Sequence, residues 1–280
     1  MYLAHFGLRE YPFGLTPDTG YFYPGAGSQA ALNTLLVALD SGEGLVKIVG
    51  EVGSGKTLLC RHLLNRLEGE GWATAFIPNP NQDPDTLVRS LARELGAIRS
   101  RSGSFSQALE RRLLSLAGQG RRAVALVDEA QAMPLESLEA LRLITNLETE
   151  KRKLLQIVLF GQPELDQRLA EPSVRQIRSR IAFHDRLAPL GAIETPRYLA
   201  HRLAQAGAAA SPFTPATAAK LHGLSRGTPR LLNILAHKAL LLAYGEASPA
   251  VLPRHARLAG LDTPGARLSL VDRIWRGHIH

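Results

Sequence analysis

A chain of 280 residues with 45% apolar content has material for one large or two modest domains, each with its own core. A single cysteine excludes an internal disulfide framework and fits a reducing compartment. The formal charge of +8 is unevenly placed: residues 1–185 hold 21 Lys+Arg against 21 Asp+Glu, and residues 186–280 hold 12 against 4. The carboxy-terminal excess points either to an anionic partner (nucleic acid, an acidic protein face or anionic lipid) or to a solvated Arg-rich surface. With 27 Arg to 6 Lys, a compositional bias also contributes.

No basic stretch, apolar core and small-residue cleavage site open the chain, so no secretory signal is expected and the protein is placed in the cytoplasm. Seven of its 16 aromatics fall in the first 23 residues: Tyr2, Phe6, Tyr11, Phe13, Tyr21, Phe22 and Tyr23. Such a segment is a folded strap, packed on a core or walling a purine ring. Short Val/Ile/Leu runs then alternate with amphipathic segments, the pattern of a parallel sheet with helices on both faces. Strands are expected at 45–49, 73–77, 123–127, 155–160 and 181–187, and helices at 57–68, 83–95, 104–117 and 135–149. Residues 96–103, with Arg99 and Arg101, read as an exposed loop. Cys60, among Leu58, Leu59, Leu63 and Leu64, reads as a core thiol.

After Pro189 the strand signals stop. Helices are expected at 192–206, 215–224, 229–244 and 253–261, with Pro215, Pro229 and Pro253 at their starts and Thr214 and Thr228 as caps. The most apolar stretch, 231–244, is broken by Asn233, His237 and Lys238 and is too short to span a bilayer alone. The expected domains are therefore a core with an amino-terminal strap at 1–187, a small all-helical lid at 188–262 and a loose tail at 263–280. His278 and His280 in that tail read as solvated, and no histidine set has metal-ligand spacing.

Gly50-Glu51-Val52-Gly53-Ser54-Gly55-Lys56-Thr57 matches the phosphate-loop pattern and follows an apolar strand, as the motif requires. Its glycines let backbone N–H groups turn toward phosphate oxygens, and the following helix, continuing through Leu58, adds its positive dipole end. Lys56 is expected at the β- and γ-phosphates and Thr57 on Mg²⁺. The run 123–127 ends in Asp128 and Glu129. Asp128 is expected to support Mg²⁺ through water. Glu129, on the opposite side by strand alternation, is expected to orient and deprotonate the attacking water. No Asn-Lys-x-Asp guanine-reading segment occurs, which favours ATP. Asp128-Glu129-Ala130-Gln131 is superficially helicase-like, but the late Arg-Gly-rich helicase motif is absent.

Arg178 and Arg180 are candidates for a finger acting on a neighbouring subunit's γ-phosphate, with Arg180 favoured; two apart on a helix, they would face different ways. Arg230, after Pro229, is placed to report γ-phosphate to the lid. Gln162, just after the fourth strand, is placed to sense phosphate or the attacking water.

Together these features resemble the AAA+ ATPases, more narrowly the group typified by general secretion pathway protein A and the ATPase of mannose-sensitive haemagglutinin (MSHA) pilus biogenesis. The narrower signature is Phe6-Gly7-Leu8-Arg9-Glu10-Tyr11-Pro12-Phe13 with Thr16-Pro17-Asp18, then Gly50-Glu51-Val52-Gly53, Gly161-Gln162-Pro163-Glu164-Leu165 and Gly227-Thr228-Pro229-Arg230. The opening, residues 1–8, looks most like the pilus member. The resemblance implies a five-stranded P-loop core with a helical lid, ATP and Mg²⁺ at their junction, and a homo-oligomer. It also implies sensor and finger roles for Gln162, Arg180 and Arg230. The secretion relative's membrane-spanning helix and envelope domain have no counterpart in this sequence, which favours a cytoplasmic component, peripheral at the inner membrane. Partners are then pilus or secretion proteins. Two other readings stay open: a DNA-binding regulator like the transposition adaptor ATPases, and a nucleotide-gated scaffold with negligible turnover.

Overall fold

The computed structural model describes residues 2–100, 103–150 and 152–268. Arg101, His278 and His280 lie outside the described residues. The chain divides into two compact units, Gln29–Val52 with Lys56–Leu187, and Met1–Ser28 with Gly53–Gly55 and Ala188–His280.

The first unit is a five-stranded parallel sheet. Its strands are β1 (Leu45–Gly50), β2 (Ala73–Ile77), β3 (Ala123–Val127), β4 (Gln156–Gly161) and β5 (Ile181–Leu187), in the order β2-β3-β4-β1-β5. The central strands β3 and β4 are buried throughout, whereas edge strands β2 and β5 alternate, as expected where only inner strands are covered on both faces. The sheet is covered by α2 (Ala26–Asp40), α3 (Lys56–Gly69), α4 (Pro84–Glu94), α5 (Phe105–Gly118), α6 (Leu135–Ile144), α7 (Glu164–Leu169) and α8 (Arg175–Arg178). Cys60 on α3 is fully buried, and that burial pushes its thiol pKa well up, in keeping with a core role.

Three details depart from expectation here. Helix α2 was not anticipated, although Ala31, Leu32, Leu35, Ala38 and Leu39 form one buried helical stripe. Helix α6 stops at Ile144 rather than 149. The Thr145 hydroxyl donates to the Arg142 carbonyl, and the chain then turns into a short antiparallel bridge between Glu148 and Lys153. Arg178 and Arg180 do not share a helix: α8 ends at Arg178, and Arg180 lies in the turn before β5.

The second unit is helical: α1 (Tyr2–His5), α9 (Glu194–Gln205), α10 (Pro215–Ser225), α11 (Pro229–Gly245) and α12 (Pro253–Leu261). The aromatic strap belongs to this unit rather than to the sheet, which corrects the division at 1–187. Tyr2, Leu8, Phe13 and Tyr21 share one core with Tyr198, Leu203, Phe213, Leu232 and Leu235. Polar contacts fix it further. Arg202, only 5% exposed, donates from Nε to the Pro12 carbonyl (2.6 Å) and from Nη2 to the Gly14 carbonyl (3.2 Å). Its guanidinium lies 4.4 Å from the centre of the Tyr21 ring. Core packing therefore accounts for Tyr2, Phe13 and Tyr21 of the strap, with Phe6 and Tyr23 partly buried against that core, while Tyr11 is exposed.

Thr214 caps α10 through its side chain, accepting from the Thr217 N–H, but Thr228 begins α11 without a side-chain cap bond. The start of the expected tail is also packed. The Thr263 hydroxyl donates to the Ala259 carbonyl (2.6 Å), and the Arg267 N–H to that of Leu224 (2.8 Å); residues 269–280 lie outside the described range.

Candidate active site

Strand order decides which side chains can meet. β4 lies between β3 and β1, with Val127 level with Leu159 and Val49 level with Gly161. The residues just beyond the carboxyl ends of these strands, Asp128 and Glu129, Gln162, and the loop after Gly50, therefore come out side by side.

The loop needs glycine where φ is positive, at Gly53 (+77°) and Gly55 (+98°). Gly53–Gly55 group with the helical unit, where the Arg230 N–H donates to the Gly53 carbonyl (3.1 Å). A Cβ added at Gly53 would stand 2.7 Å from the Cβ of Arg230. Lys56 opens α3, 5% exposed, and its Nζ donates to the carbonyls of Gly50 (2.8 Å) and Glu51 (3.0 Å). Burial lowers the Lys56 pKa, against the pull of Glu129, Asp128, Glu51 and Glu164.

Thr57 Oγ1 donates to Asp128 Oδ2 (2.7 Å), and the Glu129 N–H to Asp128 Oδ1 (3.0 Å). Asp128 is 3% exposed; burial raises its pKa more than these two donors lower it. Glu129 is not placed by strand alternation. β3 ends at Val127, and Glu129 sits in the left-handed region (φ 52°, ψ 38°), so a turn sets its direction. A non-glycine residue there costs about 1 to 3 kcal/mol, a strain characteristic of functional positions. Its Oε2 accepts from Gln162 Nε2 (2.9 Å) and Gln131 Nε2 (2.5 Å). Burial opposes ionisation of this carboxyl, but the two amides and the Lys56 ammonium outweigh it and hold its pKa below the usual glutamate value.

The site contains one orphan. Ser54 Oγ is buried in the loop with no hydrogen-bond partner. A buried hydroxyl without a partner, a cradle at positive φ and an inward ammonium fit a phosphate chain. The hydroxyl–carboxylate pair of Thr57 and Asp128 offers the few hard oxygens that suit Mg²⁺, which keeps most of its waters. Among the described residues no cluster of three His, Cys, Asp or Glu forms a metal cage.

Lys56, Thr57, Asp128, Glu129 and Gln162 thus converge, whereas Arg178 and Arg180 do not join them within the chain. Arg178 lines a hollow with Lys47, Asp166 and His184, and Arg180 lies near enough to Glu148 to lower that carboxyl's pKa, behind the stronger effect of Lys153. Gln131 and Arg168, whose Nη1 donates to the Gln131 carbonyl, were not anticipated. The run Asp128-Glu129-Ala130-Gln131 contained the signal for the first.

Residues 39–169 match a family model described as an AAA domain. The chain is 38% identical over 270 residues to general secretion pathway protein A of Aeromonas hydrophila, covering 95% of this chain and 49% of the relative. It therefore spans about half of that relative's length. Similar solved structures include the Aeropyrum pernix ORC2 protein in ADPNP and ADP complexes (TM-score 0.66, 20% identity, 89% of this chain and 71% of that one). Cdc6p of Pyrobaculum aerophilum (0.66, 18%, 89% and 69%) and the Thermotoga maritima RuvB Holliday junction branch migration motor (0.58, 15%, 88% and 72%) are also similar. At these identities the structures speak to the fold alone, and that fold is the AAA-type P-loop sheet.

Proposed function

We propose that this chain, a member of the AAA ATPase group typified by general secretion pathway protein A, binds Mg·ATP and hydrolyses it to ADP and phosphate. The observation that carries this reading is the convergence of Lys56, Thr57, Asp128 and a strained Glu129 beyond the carboxyl ends of β1 and β3, either side of β4. Gly50, Glu51, Val52, Gly53, Ser54 and Gly55 wrap the phosphates with backbone N–H groups, with Leu58 continuing the helix behind them. Lys56 binds the β- and γ-phosphates, and Thr57 and Asp128 hold Mg²⁺, Asp128 through water. Held there, Mg²⁺ would supply charge neutralisation for the phosphates.

Glu129 accepts a proton from the attacking water as its oxygen bonds to the γ-phosphorus and ADP departs. Gln162 orients that water. Arg230 carries the γ-phosphate state into the helical unit, and Arg180, or Arg178, serves a neighbouring copy's nucleotide in a homo-oligomer. In the cell the cycle supports biogenesis of a type IV-like pilus of the MSHA kind or a related secretion apparatus. The protein acts from the cytoplasm, peripherally at the inner membrane. No helix among the described residues is long and apolar enough to cross a membrane.

Phosphate release and fluorescent-nucleotide binding test the core of this reading. Wild type should turn over, and Glu129→Gln should bind ATP without turnover. Binding without hydrolysis or change of assembly state, in both proteins, would remove the motor reading, and turnover measured with and without the membrane apparatus separates that reading from a nucleotide-gated scaffold. A DNA-binding regulator is the second reading, supported by the confinement of the basic excess to residues 186–280. Salt-sensitive duplex binding that stimulates turnover would favour it, and no binding at low salt would remove it.

A further inference from the structure

The carboxylate of Glu129 is held by a closed ring of hydrogen bonds in which Gln131 is the link between two segments. Gln131 Nε2 and Gln162 Nε2 both donate to Glu129 Oε2, at 2.5 and 2.9 Å, and the Gln162 backbone N–H donates back to Gln131 Oε1 at 3.0 Å. That last bond fixes the amide orientation. A backbone N–H needs an acceptor, so the oxygen of Gln131 faces Gln162 and its nitrogen faces the carboxylate. The Gln131 carbonyl accepts from Arg168 on α7, which anchors the turn from the other side. Both amides meet the same oxygen, so Oε1 is the one neither engages.

We infer that Gln131 is a positioning residue for the hydrolytic water: it fixes the rotation of the Glu129 carboxylate so that Oε1 is presented as the base, and couples that rotation to Gln162. This rests on the ATPase reading above. Glu129 reaches its place through a strained left-handed turn, whose direction alone does not fix the side-chain torsions. Two donors on one oxygen do. The same donors stabilise the ionised carboxylate, so removing one should raise its proton affinity.

The test is Gln131→Met, which keeps volume and removes both amide functions, with Gln131→Asn, one methylene shorter, as the variant that keeps polarity. In both, kcat should fall about tenfold with KM for ATP within about twofold, the pattern of a group acting in the transition state. The acid limb of the kcat profile should move to higher pH. Unchanged kcat and limb in an active, folded Gln131→Met protein would overturn the inference, as would equal losses in kcat and thermal stability with an unmoved limb. A crystal structure of nucleotide-free Gln131→Met supplies a readout independent of turnover: a Glu129 carboxylate rotated away from Gln162 supports the inference, and an unmoved one overturns it. A wild type that does not turn over overturns the ATPase reading instead, and with it the role of that carboxylate as base.

Discussion

Arg202→Met isolates the link between the amino-terminal strap and the helical unit. The arginine is 5% exposed, and its guanidinium reaches the carbonyls of Pro12 and Gly14 and the Tyr21 ring. Two hydrogen bonds from a charged donor contribute about 1.5 kcal/mol each, and a largely desolvated cation–π contact about 1 kcal/mol more. Methionine recovers about 1 kcal/mol through packing of its own chain, which leaves a loss of about 3 kcal/mol. At about 2 to 4 °C per kcal/mol this corresponds to a fall of about 6 to 12 °C in the midpoint of the helical unit. Urea unfolding followed by circular dichroism at 222 nm measures it directly. Arg202→Lys should fall between the two, because an ammonium cannot span both carbonyls as the planar fork does. A loss below about 1 kcal/mol in Arg202→Met would refute the claim that this side chain clamps the strap.

Other outcomes follow from the site. Glu129→Gln should lower kcat by about 10² to 10⁴, with ATP affinity, read by displacement of a fluorescent nucleotide, unchanged within about threefold. Asp128→Asn should raise the Mg²⁺ concentration for half-maximal rate about tenfold, measured by metal titration at fixed ATP. In the proposed mechanism Glu129 acts deprotonated, and its pKa is held below the usual value, so the acid limb of kcat should lie below the ordinary glutamate range. In the proposed mechanism Lys56 acts as an ammonium, and burial lowers its pKa, so kcat/KM should decline on the alkaline side before an ordinary lysine would titrate. Rate profiles at constant ionic strength check both signs. Gly55→Ala, at φ +98°, should abolish nucleotide binding in the same displacement assay while leaving the sheet folded.

The strands were largely legible because each is a short, nearly continuous apolar run with its motif at one end. β2, β3 and β5 run over the expected residues, β1 is one residue longer, and β4 is shifted by one residue at each end. The phosphate loop and its carboxylates were legible for the same local reason. What escaped was long-range or geometric. Nothing near Pro12 announces a guanidinium 190 residues away, so the strap could not be assigned to the helical unit. The direction of Glu129 depends on a positive φ that alternation does not encode. Gln131 gains meaning only when β4 brings Gln162 beside it. Helix α2, by contrast, is encoded locally, in the 31, 32, 35, 38, 39 spacing of its buried residues.

The left-handed turn at Glu129 has a practical corollary for laboratory evolution. Replacing it with glycine removes a steric cost of about 1 kcal/mol, but also removes the acceptor of the Gln131 and Gln162 amides and the carboxylate proposed as the base. On the proposed mechanism, backbone comfort and turnover therefore pull position 129 in opposite directions, so a selection for heat resistance alone would place no value on keeping the glutamate there.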